Sequence, residues 1–252
     1  MISNRVIPCL LLRNGGLVKG KGFKKHIYIG DPINTVKLFN DKEVDELVFL
    51  DINATLEKKD PDFKTIEDIA SEAFMPLAYG GGVNKIEHVE RLFKIGVEKI
   101  IINSAYSDSN AFIKEAVKVA GSQSIVGSLD VKKSMFGKYS VMTHSGSKVL
   151  SNDPVSVAKY LEESGVGEIL VTSIDNEGMR KGVNLSLIQS ISEAVSVPVI
   201  ANGGIGAISH IADAVKAGAS AVAASSFFVF HGKHNAVLIT YPEYKILEGL
   251  FK

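Results

Sequence analysis

The chain carries a single cysteine, no surplus of either charge and no apolar run long enough to cross a bilayer. One cysteine excludes an internal disulfide. No cysteine–histidine cluster has metal-ligand spacing either, so no metal and no other cofactor is expected. Basic and acidic residues balance at 28 each, which gives neither nucleic acid nor an acidic membrane surface an electrostatic hold. The opening stretch MISNRVIPCLLLRNGG has too short an apolar part for a membrane span and lacks a small-residue cleavage site. A soluble, cytoplasmic chain is therefore expected, with Cys9 buried in a strand and inert. What the chain does have is 46% hydrophobic content over 252 residues, enough for one large core.

Two segments repeat one another. Residues 76–105 read PLAYGGGVNKIEHVERLFKIGVEKIIINSA, and residues 198–227 read PVIANGGIGAISHIADAVKAGASAVAASSF. They align without a gap at an offset of 122 residues, so Gly81 falls on Gly203, Gly82 on Gly204, His88 on His210 and Ser104 on Ser226. DELVFLDI at 45–52 falls on GEILVTSI at 167–174 at the same offset. RVIPCLLLR at 5–13 falls on SIVGSLDVK at 124–132 at an offset of 119, which sets Leu11 against Asp130.

Apolar strand-like runs are expected at 5–12, 46–52, 76–79, 99–102, 124–131, 168–173, 198–201 and 220–224, nearly continuous in apolar character as strands covered on both sides require. Helical periodicity predicts 32–43, 62–73, 85–95, 109–120, 153–164, 184–195, 207–217 and a last helix from about 233. Asp31-Pro32 and Asp153-Pro154 are helix starts, and Gly96, Gly121, Gly165 and Gly218 are helix stops. Eight unbroken βα units point to a single (β/α)8 TIM barrel with an internal twofold half-barrel repeat. Its halves are about 1–121 and 122–232, with a tail at 233–252. Two loops, 13–30 and 132–150, exceed the rhythm and are expected to be mobile lids on the C-terminal rim.

Gly80-Gly81-Gly82 ends strand three and Asn202-Gly203-Gly204 ends strand seven. Glycine admits an oxyanion close to the backbone, and the following helix aims free N–H groups at it. Asn103-Ser104 and Ser225-Ser226 end strands four and eight and add donors beside each turn. Two matched anion grips across one barrel mouth imply a phosphorylated small molecule with an anion at each end.

VIPCL at 6–10, GDP at 30–32, DELVFLDI at 45–52, INSA at 102–105, GSQ at 121–123, LDVK at 129–132, GEILVTSID at 167–175 and NGG at 202–204 resemble the cyclase subunit of imidazole glycerol phosphate synthase. The resemblance covers residues 1 to about 232. It implies a barrel that takes ammonia from a glutaminase partner and uses it to split and cyclise a bisphosphorylated ribulosyl intermediate. It also implies catalytic aspartates at the ends of strands one and five. Asp130 is the second, and Leu11 stands at the first. Leucine exchanges no proton, so the resemblance implies damaged cyclase activity. Glu177 and Gly178 join the implied phosphate-binding set, with Glu177 where the family usually has aspartate. Arg5, Glu46, Lys99 and Glu168 match the family's charged ammonia gate at the barrel floor, the face expected to dock the glutaminase.

Three functions follow. The first is a divergent member that supplies ammonia for amidation of an acetamido sugar in surface-polysaccharide synthesis, with a sugar amidotransferase as a further partner. The second is a working histidine-pathway cyclase in which Lys19 or His144, on the two long loops, covers for Leu11. The third is a non-catalytic barrel that binds a phosphorylated effector and activates the glutaminase.

Overall fold

Strand one shows why the sheet closes on itself. Arg5–Arg13 is apolar almost throughout because both of its faces are buried. Ile7 and Cys9 point into one core with Val48, Ala78, Ile101, Val126, Leu170 and Ile200. Val6, Leu10 and Leu12 point the other way, into a larger core shared with the helices.

The computed structural model describes residues 4–232 and 234–251, apart from the side chains of Asp108 and Asn110. Residues 1–3, Lys233 and Lys252, at the ends of the expected first half and of the tail, lie outside the described residues. Seven parallel strands follow strand one in order: Leu47–Asp51, Leu77–Gly80, Lys99–Ile102, Ile125–Lys133, Glu168–Ser173, Val199–Asn202 and Ala221–Ala224 complete the set of eight. Each pairs with the next, strand eight pairs with strand one, and the result is a closed (β/α)8 barrel with helices between the strands. Among the described residues no helix is long and apolar enough to cross a membrane.

The two halves pair in the same register. Leu47 faces Leu77 as Ile169 faces Val199, and Ala78 faces Lys99 as Ile200 faces Ala221, each at the 122-residue offset. Leu11 faces Leu50 where Asp130 faces Thr172, so these two side chains occupy matching places on opposite sides of the mouth. Backbone crowding matches too. A Cβ on Gly81 (φ +121°) would meet Asp51 O at 2.4 Å, and one on Gly203 (φ +91°) would meet Ser173 O at 2.7 Å.

Three expectations change. The loop 13–30 is a β-hairpin, Gly16–Lys21 with Lys24–Gly30, whose inner strand pairs back onto strand one. The loop 132–150 is likewise a hairpin, Tyr139–Thr143 with Lys148–Ser151, paired back onto the long fifth strand. Gly22 and Phe23 (φ +55° and +62°) make the tight first turn, in the two-residue form whose twist suits a hairpin. The last helix begins at Tyr244, not near 233. Upstream of it Phe230–His231 pairs with Ala236–Val237, and Pro242 disfavours a helical residue before it.

Gly81→Ala and Gly203→Ala should each destabilise the fold by about 1–3 kcal/mol, because each forces a Cβ against a carbonyl at positive φ. Thermal unfolding checks this. Unchanged midpoints would mean that the strand ends can move apart freely.

Candidate functional site

The C-terminal ends of the strands enclose a cavity of about 710 Å³, and alternation along each strand decides what faces it. Strands one and two present the apolar Cys9, Leu11 and Leu50, with the charged Arg13 and Asp51 at their last residues. Strands four to eight present Asn103, Asp130, Thr172, Asn202 and Ser225, a polar wall. Hydrogen bonds run along the polar wall. Asn202 Nδ2 donates to Thr172 Oγ1 at 3.1 Å, the Thr172 hydroxyl bonds the Asp130 carboxyl, and Asn103 Nδ2 donates to Asp130 at 3.1 Å. Burial nevertheless dominates at Asp130 and pushes its pKa up to about 7. The same cause pushes the Cys9 thiol up to about 12, which keeps it an unreactive thiol.

The two expected anion grips are not equally open. Gly81, Gly82, Asn103 and Ser104 all line the cavity. Of the second grip, Asn202 and Ser225 line it, whereas Gly203 and Gly204 lie behind the loop that follows strand six. Gly204 O accepts from Gly182 N at 2.8 Å, and a Cβ on Gly204 would meet Gly182 O. The hydroxyls differ as well. Ser104 Oγ accepts from His144 N at 2.9 Å, while Ser225 Oγ and Ser226 Oγ are buried without a hydrogen-bond partner among the described residues. A buried hydroxyl without a partner is costly. Ser225 lines the cavity, where a bound anion would satisfy its hydroxyl, whereas Ser226 is not among the lining residues.

The hairpins roof the cavity. Lys19, buried at 2% exposure, forms an ion pair with Glu177, and Gly22 N donates to Glu177 O at 2.9 Å. Gly178 is pressed so close to Gly20 O that a side chain there would collide with it. Lys19 therefore holds the first hairpin to the loop after strand six, and burial lowers its pKa to about 8. From the other side, Ser145 Oγ donates to Ile52 O at 2.8 Å, and Phe23 lies 3.1 Å from the open Cβ position of Gly146. The two hairpin tips thus meet over the mouth.

The sequence did not single out His26. It lies on the outer strand of the first hairpin, lines the cavity, and sits within 3 Å of the Cβ position that Gly20 leaves open. Burial, then Arg13, then Lys19 hold its pKa below the ordinary histidine value. Only the cross-strand pairing of a lysine-rich, glycine-rich loop places it there, and that pairing is hidden in the sequence.

At the opposite end four charges close a ring. Arg5 bonds Glu46 at 2.5 Å and Glu168 at 2.7 Å, and Lys99 reaches the same two carboxylates at 2.8 and 3.2 Å. Burial works against the Arg5 charge, but Glu168 and Glu46 outweigh it and raise its pKa. Asp45, next to Glu46, accepts from Val6 N at 2.9 Å, and the Tyr241 hydroxyl donates to Val6 O at 2.7 Å. The C-terminal segment thereby clips the two strand starts that carry Arg5 and Glu46.

The family described as "Histidine biosynthesis protein" matches residues 5–235. The chain is 47% identical over 98% of its length to 99% of "Putative imidazole glycerol phosphate synthase subunit hisF2" of Pseudomonas aeruginosa. It is 45% identical over 96% of its length to 94% of "Putative imidazole glycerol phosphate synthase subunit hisF3" of Vibrio vulnificus. It is 41% identical over the whole of both chains to "Putative imidazole glycerol phosphate synthase subunit HisF" of Leptospira interrogans.

The raised pKa of Asp130 has a consequence for stability. Between the ordinary carboxylate value and about 7, the folded chain holds a proton there that the unfolded chain has lost. This group's contribution to stability therefore falls as pH rises through that window. Relative to wild type, Asp130→Asn should gain about 2–3 kcal/mol on going from pH 5 to pH 8 in urea unfolding. A difference independent of pH would contradict the raised value.

Proposed function

The chain belongs to the histidine biosynthesis protein family, and from that premise we propose that it is the ammonia-using barrel subunit of a glutamine amidotransferase. A glutaminase docks on the floor around Arg5, Glu46, Lys99 and Glu168. Ammonia is mostly protonated in neutral water, and passage through the barrel preserves the reactive neutral form. The interior between floor and mouth is apolar, with Ile7, Cys9, Ala78, Ala221 and Ala223 along it. The mouth holds a phosphorylated acceptor, one anion on Gly82 with Asn103 and Ser104, the other on the Ser225 hydroxyl with Glu177 and Gly178 nearby.

The observation that carries this reading is the unequal condition of the two ends. The floor ring is complete, with every charge paired twice. At the mouth Asp130 has Leu11 at its mirror place. Cyclisation of the bisphosphorylated ribulosyl compound needs acid and base on both sides, so this barrel performs it poorly. Its ammonia serves a different acceptor instead. An acetamido sugar that becomes an amidino sugar, with a sugar amidotransferase as partner, is the acceptor we propose.

A second reading has one observation of its own. Asp130, with a pKa of about 7, is poised to exchange protons at neutral pH, as a working cyclase of the kind named in the relatives requires.

Ammonium-dependent turnover of the bisphosphorylated ribulosyl compound separates the two. The first reading expects slow wild-type turnover and a rise of roughly 10²-fold or more in Leu11→Asp. Wild-type turnover of about 1 per second or faster would establish the second reading instead.

A further inference from the structure

We propose that His26, on the hairpin that roofs the cavity, is the second proton-transfer group of this site, acting with Asp130 in place of the side chain that Leu11 lacks. The proposal rests on the reading of the cavity as the place where a phosphorylated acceptor reacts. Acid–base chemistry there needs two titratable groups. The strand ends supply Asp130 and Asp51, and Asp51 Oδ1 is already held by Asn53 N and Ala54 N at 2.9 and 3.0 Å. The first hairpin grows out of strand one itself, with Val18 paired to Leu11. Its outer strand brings His26 into the lining of the cavity that Leu11 also lines.

The alternatives on the two hairpins fit less well. Lys19 is engaged by Glu177 and does not line the cavity. His144 also lines the cavity, but it lies at the far hairpin tip, its backbone N–H given to Ser104 and its ring Nδ1 3.1 Å from Thr143 Oγ1. His26 faces the cavity over a glycine that leaves room for its ring.

The electrostatics agree with the geometry. Burial, then Arg13, then Lys19 disfavour a charge on His26 and so favour the neutral imidazole, which can accept a proton. Asp51 and Asp130 line the same cavity, and Glu177 balances Lys19 behind the hairpin. A protonated Asp130 gives one proton to the acceptor while His26 takes one. The protein is left with carboxylate and imidazolium, its proton count unchanged, and exchange with water restores both. The acceptor class this suits is a phosphorylated compound that loses a proton at one atom and gains one at another.

Two measurements on the full chain test the proposal. Imidazole proton NMR, with His26 assigned from His26→Gln, should show a titration below the ordinary range in the free protein. Adding inorganic phosphate should move it up by about half a pH unit or more, since a nearby anion favours the cation. Residual ammonium-dependent turnover should fall roughly 10²-fold in His26→Gln with KM unchanged. In the Leu11→Asp background the same change should cost under about threefold, because the restored carboxyl makes His26 redundant. His231→Gln is the control and should match wild type. Equal losses from His26→Gln in both backgrounds, or full retention in both, would overturn the proposal. If wild-type turnover is not measurable, the titration decides alone. An unmoved His26 beside phosphate-shifted amides of Gly81 and Gly82 would then overturn it. If no amide shifts either, the reading of the cavity falls and the proposal with it.

Discussion

Four charges that can be buried only together close the floor of this barrel. A lone carboxylate at the place of Glu46, 3% exposed, would cost several kcal/mol. Arg5 and Lys99 each reach both Glu46 and Glu168, so every charge is paired twice. The ring draws on strands one, two, four and six, and so depends on the registers that close the sheet. The same registers, followed upward, decide what meets at the mouth. Leu11 beside Leu50 and Asp130 beside Thr172 are one pairing seen in two halves.

At the mouth the physical situation is reversed. There the polar groups are left partly unsatisfied. Ser225 Oγ and Ser226 Oγ have no partner among the described residues, and Asp130 keeps a proton to about pH 7 despite the hydrogen bond from Thr172. Such costs collect where a ligand is meant to relieve them. The hairpins limit access to that place, one fixed by the buried Lys19–Glu177 pair and the other by the bonds of His144 and Ser145.

Much of this was legible in the sequence. Apolar runs located all eight strands to within two residues, because parallel strands buried on both sides leave a signal that little else produces. The offsets of 122 and 119 set Leu11 opposite Asp130, and the register of strands one and five does the same. Other features were hidden for physical reasons. Lys-Gly-Lys-Gly-Phe-Lys-Lys at 19–25 reads as a solvated loop, yet its strands are held by pairing to strand one and by Glu177, far away in sequence. His26 became visible only with that pairing. The covering of Gly204 by Gly182 is a backbone contact that no residue pattern announces. The tail looked helical from 233 because helical periodicity does not register the pairing of 230–231 with 236–237.

The central claim is that the floor of the barrel receives a partner that makes ammonia while the mouth receives the acceptor. Hydrogen exchange of the barrel, alone and mixed with a glutaminase subunit, tests it most directly. The account predicts new protection in the turns that enter the floor, around 42–46, 73–76, 96–98 and 165–168, with the hairpins 16–30 and 139–151 unchanged. Protection confined to those hairpins and the rim, with the floor turns exchanging as before, would contradict it.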